Sequence, residues 1–176
     1  MSYIISADPG APCTLAFMSP AGQILNVAEK EAVAINFKKS SWQNNHNLMG
    51  ERMLDWIGET GGDGCVGVVE LVGPMPGEGL VSACRFTGSM YLFLGLCVGF
   101  GIPVTQVSPQ KWKRDLGLRA PKDGNLKELS RQRAISQFPM NTQLFKRKLD
   151  HNRAEAILIA WWMLKHGPET GGAIGR

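Results

Sequence analysis

Short apolar blocks separated by turn residues open the chain, which is the pattern of strands. Tyr3–Ala7 reads as a first strand that ends at Asp8, because Pro9-Gly10 breaks the chain at once. Thr14–Met18 and Gln23–Val27, joined by the turn Ser19-Pro20-Ala21-Gly22, complete an antiparallel meander. Asn36–Asn47 is polar and irregular, whereas Leu48–Ile57 carries helical spacing through Leu48, Met53, Leu54 and Ile57. Glycines at 61, 62 and 64 precede the β-rich run Val66–Val72, interrupted only by Glu70, and Gly73–Gly79 is a Gly/Pro loop. Ser82–Phe100 mixes apolar with small residues, as a closely packed helix does. Pro103–Val107 predicts a short strand, after which Pro109 opens a helix carrying Lys111, Trp112 and Lys113. Leu126–Phe138 predicts an amphipathic helix stopped by Pro139. Arg153–Leu164 predicts a last, largely apolar helix ended by Gly167-Pro168. Three antiparallel strands, then alternating helix and strand, then helices, predict an α/β layer fold with a mixed sheet flanked by helices. Residues 1–166 form one domain in this reading, and 167–176 a flexible, Gly-rich tail.

Charge changes this picture more than composition does. The net charge is only +4, but Ser108–Arg153 holds twelve of the 19 Lys/Arg and four of the 15 acids. A basic stretch on an otherwise acidic chain predicts a polyanion-binding surface, with Lys111, Arg114, Lys122, Arg131, Lys146, Arg147, Lys148 and Arg153 as candidate phosphate contacts. Solvated helix faces would produce the same composition. Cys13, Cys65, Cys84 and Cys97 form no CxxC pair and lie at no zinc-ligand spacing from a histidine, so they predict reduced thiols. Without a signal peptide before them, a cytoplasmic setting in a bacterial or phage-infected cell is expected, with an organelle left open. The apolar run Met90–Gly101 is too short and Gly-rich to predict a membrane span.

The chemistry rests on acids that interrupt apolar segments. Asp8 ends an apolar strand, and Glu70 lies inside Val66–Val72, where an unpaired carboxylate costs several kcal/mol, roughly, to desolvate. Glu155 enters a helix that is otherwise apolar. At about 100° per residue His151 and Asn152 share its face, while Asp150 is about 140° away and must sit at the helix start to reach the same point. Asp8 before Pro-Gly could equally be a turn residue, and Asp150 an N-cap. Carboxylates converging on oxygen-loving Mg²⁺ are what phosphodiester hydrolysis needs. No P-loop, GxSxG or GxGxxG fingerprint offers a competing chemistry.

Several segments together resemble the RuvC-type Holliday-junction resolvases, in particular the branch containing phage resolvases and the chloroplast enzyme. They are Ile4–Gly10, Val68–Glu70, Met75–Gly79, Val107–Lys113, Ser130-Arg131 and, most specific, Phe145–Ala156, with its basic run followed by Asp150-His151 and Arg153-Ala154-Glu155-Ala156. The resemblance implies an RNase H-like fold and a homodimer that makes paired symmetric nicks in four-way DNA junctions with Mg²⁺, or Mn²⁺ in its place. It implies Asp8, Glu70, Asp150 and Glu155 as catalytic metal ligands and Lys113 near the scissile phosphate. Bacterial members of the family usually have two acids three residues apart in the last helix. Here Asn152 stands at that position, which leaves the fourth ligand between Asp150 and His151, with Asp150 favoured. Ser82–Phe100 is the candidate dimer helix, with a buried core helix of a monomer as the alternative, and Met75 and Phe86 are candidates to wedge into the junction. An RNase H-like nuclease acting on hybrids, flaps or other branched DNA is the alternative, and a non-catalytic junction binder belongs to a different class.

Overall fold

The computed structural model describes residues 2–10, 13–28, 42–61, 64–74, 76–77, 79–119 and 125–167. Lys122, Met75 and the tail beyond Gly167 therefore lie outside the described residues. Five strands, β1 (Tyr3–Asp8), β2 (Thr14–Met18), β3 (Ile24–Ala28), β4 (Cys65–Glu70) and β5 (Val104–Val107), form one sheet in the order β3-β2-β1-β4-β5. The first three pair antiparallel, whereas β4 and β5 extend the sheet in parallel from β1. The helices are α1 (Trp42–Glu59), α2 (Leu80–Gly99), α3 (Pro109–Asp115), α4 (Leu126–Gln137) and α5 (His151–His166). Short 3-10 turns at Pro139–Phe145 and Lys148–Asp150 connect α4 to α5.

Strand alternation decides what each face carries. Ile4, Ser6 and Asp8 share one face of β1, with Met18, Ala16 and Thr14 opposite them on β2 and Val66 and Val68 beside them on β4. That face is covered by α5, and Ile4, Ala16 and Val68 join Trp112, Phe145, Ala154 and Ala156–Ala160 in one core. The reverse face, with Ile5, Ala7, Leu15, Phe17 and Val69, packs with Met49, Met53 and Trp56 of α1 and Met90, Phe93 and Cys97 of α2. A methyl group at Gly67 would lie 2.9 Å from Cys97 Sγ, so only glycine lets α2 approach β4 this closely.

The helix α1 starts at Trp42, six residues before the expected Leu48 and within the stretch expected to be irregular. A polar run gives no amphipathic signal, but it costs little per residue when it extends a helix anchored further on. The strand β4 stops at Glu70, two residues short of the expectation, and Leu71 N–H donates to the Val107 carbonyl at 2.8 Å as the chain leaves the sheet. By length and composition α2 could cross a bilayer, longer than the run weighed from sequence. In the fold, Ala83, Ser89, Met90, Phe93 and Cys97 form its buried side.

Candidate active site

Asp8 and Glu70 end two adjacent parallel strands. Their neighbours Ala7 and Val69 are in register, so both carboxylates emerge side by side on the α5 face. Crevices at the carboxyl ends of parallel strands are where α/β sheets bind ligands. The third acid arrives on α5. Ser6, fully buried on the same face of β1, donates its hydroxyl to the Ala156 carbonyl at 2.7 Å and fixes the helix backbone next to Glu155. Leaving such a buried group unpaired would cost about 1–3 kcal/mol, so this bond sets the helix's height above the strand ends.

Two further helices hold the carboxylates. Ser108 caps α3, accepting from Lys111 N–H at 3.3 Å, and Pro109 occupies its first turn. Trp112 then donates its indole N–H to Glu70 Oε2 at 2.6 Å, and Lys113 Nζ lies 3.2 Å from Glu155 Oε1. The same Glu155 oxygen accepts from Ser130 of α4 at 2.8 Å. Lys113 Nζ also sits 5.0 Å from the centre of the Trp112 ring.

Asp8, Glu70 and Glu155 are all buried, and this crowding shows in the protonation of Asp8 and Glu70. Burial, then the charges of Glu155 and Glu70, raise the Asp8 carboxyl well above its ordinary range, against the opposing pull of Lys113 and Lys127. Burial likewise raises Glu70, although Lys113 and the Trp112 bond lower it and Glu155 adds to the rise. Such elevated, mutually repelling carboxyls in a crevice mark functional sites.

This donor set suits a hard divalent cation. Among the described residues three carboxyl groups share the site with the ammonium groups of Lys113 and Lys127, and the ligand atoms the carboxyls offer are all oxygen. Thr14, paired with Asp8 across β1 and β2, keeps a buried hydroxyl without a partner on the same face. An ion with its water shell would satisfy that group. As the side chains stand, no three of them among the described residues form a finished coordination shell. Glu70 and Glu155 each give an oxygen to a protein donor instead.

Asp150 does not join them. It occupies the position before α5 yet makes no capping bond to that helix. Its Oδ2 accepts from the Arg147 backbone N–H at 2.8 Å, and its Oδ1 from Arg147 Nε at 2.9 Å and Nη2 at 2.7 Å. Burial pushes this carboxyl up, but the Arg147 hydrogen bonds and charge outweigh it and hold it below the ordinary value. As it stands, the expected fourth ligand gives both carboxylate oxygens to Arg147 and clamps the turn before α5. The competing candidate, His151, has Nδ1 3.1 Å from the Lys148 carbonyl. A carbonyl only accepts, so Nδ1 carries the proton and Nε2 keeps its lone pair when the ring is neutral. His151 lines a cavity of about 270 Å³ with Asn125, Lys127, Glu128 and Lys148.

The candidate phosphate contacts divide in two. Lys146, Arg147 and Lys148 are exposed together just ahead of α5, and Arg153 is half-buried. Arg131 instead binds Glu128 and donates to the Phe145 carbonyl at 2.7 Å, joining α4 to the following turn. Lys111 pairs with Asp115 at 3.1 Å and lies over the Trp162 ring, while the exposed Arg114 reaches Asp115 at 3.4 Å. Phe86 is half-buried on α2. Trp112, Ser130 and Thr14 carry no role in the sequence reading. A tryptophan beside a lysine after a strand was the only available signal, because hydrogen-bond partners in other elements leave no local pattern.

No known family profile matches the chain. It is 37% identical over 98 residues to the chloroplastic Holliday junction resolvase MOC1 of Chlamydomonas reinhardtii, a match covering 56% of this chain. The matched part is 11% of that relative, so the chain spans only a small share of its length. Among solved structures it is similar to Thermus thermophilus RuvC in complex with a Holliday junction substrate, with a TM-score of 0.62 over 95% of this chain and 97% of that one at 15% identity. A second Thermus thermophilus RuvC structure gives the same TM-score at 16% identity over 94% and 96%. The resemblance first read from motifs holds at both levels: the chain has the RNase H-like fold of RuvC, and it shares sequence with a Holliday junction resolvase over more than half its length.

Proposed function

We propose that this chain is a divalent-metal-dependent endonuclease that resolves four-way DNA junctions by paired, symmetric nicks. The observation that carries this reading is the meeting of Asp8, Glu70 and Glu155, from β1, β4 and α5, beside Lys113. The three carboxylates would hold the metal, with Asp150, now bound to Arg147, and His151 as the candidates for a fourth ligand. Mg²⁺ is the expected ion, with Mn²⁺ as a substitute; once bound, such ions activate water and stabilise the departing 3′ oxygen. Lys113, held at the site by Glu155, supplies positive charge where the scissile phosphate becomes more negative. Ser130 keeps Glu155 oriented, and burial of the cluster excludes bulk water.

Lys146 and Lys148, exposed just ahead of α5, and the half-buried Arg153 would neutralise backbone phosphates, giving affinity that falls steeply with salt. Selection of a junction over plain duplex comes from shape, and paired nicks from a two-fold dimer with one site per protomer. The helix α2 supports the dimer. Val81, Tyr91 and Val98 are 57%, 66% and 71% exposed. With Cys84, Gly88 and Gly95 they form one stripe at the three-and-four spacing of paired helices. The Chlamydomonas relative is chloroplastic, so an organelle stands beside the bacterial or phage-infected cytoplasm as a setting.

The test offers the protein a mobile four-way junction, a flap and an RNA–DNA hybrid of equal length with Mg²⁺. Symmetric nicks confined to the junction are expected. Preferential cutting of the hybrid or flap would identify a different nuclease, and bound but uncut junction a binding protein.

A further inference from the structure

We infer that Trp112 is a positioning residue of this site: its indole N–H fixes the Glu70 carboxylate so that the remaining oxygen, Oε1, is the one offered to a divalent ion. This inference rests on the metal-dependent reading above and adds a residue to it. The ring is fully buried, and its N–H meets Glu70 Oε2 at 2.6 Å, the length of a charge-assisted bond. Indole is a donor only, so Glu70 Oε2 is the acceptor in this bond.

The direction of control follows from which partner is independently fixed. Glu70 is a long, unbranched side chain on the last residue of β4, whose backbone is still paired with Val107. The helix that carries Trp112 is anchored without it. Ser108 caps the helix start, and Asp115 at its end accepts from Trp162 Nε1 of α5 at 3.0 Å and from Lys111 at 3.1 Å. The ring, fixed by its helix, therefore orients the longer, unbranched side chain. A need to satisfy the indole does not explain the contact, because the equally buried Trp56 leaves its N–H unpartnered in the same fold. Nor is the contact isolated: the next residue, Lys113, holds Glu155. Two consecutive residues of one short helix thus grip carboxylates delivered by β4 and by α5.

Partners of this kind change metal affinity by about ten- to a hundred-fold when removed. The experiment is calorimetric titration of DNA-free protein with Mn²⁺, wild type against Trp112→Phe, with melting curves confirming that the variant is folded. A drop in affinity on that scale is expected. A folded variant with wild-type affinity would reduce Trp112 to a core side chain and overturn the inference alone. Absence of Mn²⁺ binding by the wild type would instead overturn the metal-dependent reading and this inference with it. A second measurement covers a variant that fails to fold. In ¹⁵N-tryptophan-labelled wild type, the Trp112 indole resonance, identified as the one displaced by Glu70→Gln, should shift as Mg²⁺ saturates the site. An indole resonance that ignores saturating Mg²⁺ would refute the contact's role, whatever the variant does.

Discussion

Replacing Asp150 separates two roles that sequence alone leaves entangled, because a turn clamp and a metal ligand respond to the same substitution with opposite signs. The clamp's worth can be built from its bonds. The Arg147 backbone N–H on Oδ2 resembles a helix-cap bond and contributes about 1 kcal/mol. The Arg147 guanidinium on Oδ1 is well aligned, but its side chain is 58% exposed, so solvent screening limits it to about 0.5–1 kcal/mol. Asp150→Ala should therefore cost about 2 kcal/mol, and Asp150→Asn, which keeps one acceptor, about 1 kcal/mol. For a domain of this size the alanine variant's melting temperature falls by about 4–8 °C. The assay pairs denaturant unfolding in EDTA with Mn²⁺ titration of the DNA-free protein. A clamp predicts lower metal-free stability for Asp150→Asn and Mn²⁺ affinity close to wild type. Unchanged or higher stability in EDTA, together with a tenfold or greater loss of Mn²⁺ affinity, would refute this reasoning and restore Asp150 as a ligand.

Asp8→Asn should do the reverse, gaining about 0.5–2 kcal/mol in EDTA, the scale on which relieving a strained functional site stabilises, while abolishing Mn²⁺ binding. Its pH dependence has a defined sign. With folded values raised by burial, Asp8 and Glu70 favour the metal-free fold most below the ordinary carboxylate range, and this contribution is lost as pH rises through their raised values. Asp8→Asn should flatten that loss in a pH series of melting curves, and an unchanged slope would count against the crowding. Asp115 acts the other way: Trp162 and then Lys111 hold it low, so its contribution is present above the ordinary value and lost as pH falls through the lowered one. Tyr91→Asp, in the exposed stripe of α2, should convert a dimer to a monomer with its melting temperature nearly unchanged. Light scattering that shows the same mass for both proteins would remove α2 from the interface.

Much of the fold was legible because burial leaves periodic traces. Ile4, Ser6 and Asp8 alternate with Ile5 and Ala7 as a strand between two covered faces requires, and the strands and α5 appeared within two residues of expectation. The start of α1 did not, since polar residues extend a helix without marking it. At the site, Asp8, Glu70 and Glu155 stood out as acids in apolar surroundings, and that is a local signal. Whether Asp150 turns toward them depends on Arg147, three residues back, whose side chain had looked like one more phosphate contact. The grips of Trp112 on Glu70 and Ser130 on Glu155 span 42 and 25 positions, and no local pattern encodes contacts at such range.

The most direct measurement follows a labelled four-way junction, already shown to be bound, in Mg²⁺ with wild type and with Glu70→Gln. Paired symmetric nicks by the wild type, and an intact but still bound junction with Glu70→Gln, are expected. A wild type that binds without cutting, or a Glu70→Gln protein that nicks at the wild-type rate, would contradict a site built on these three carboxylates.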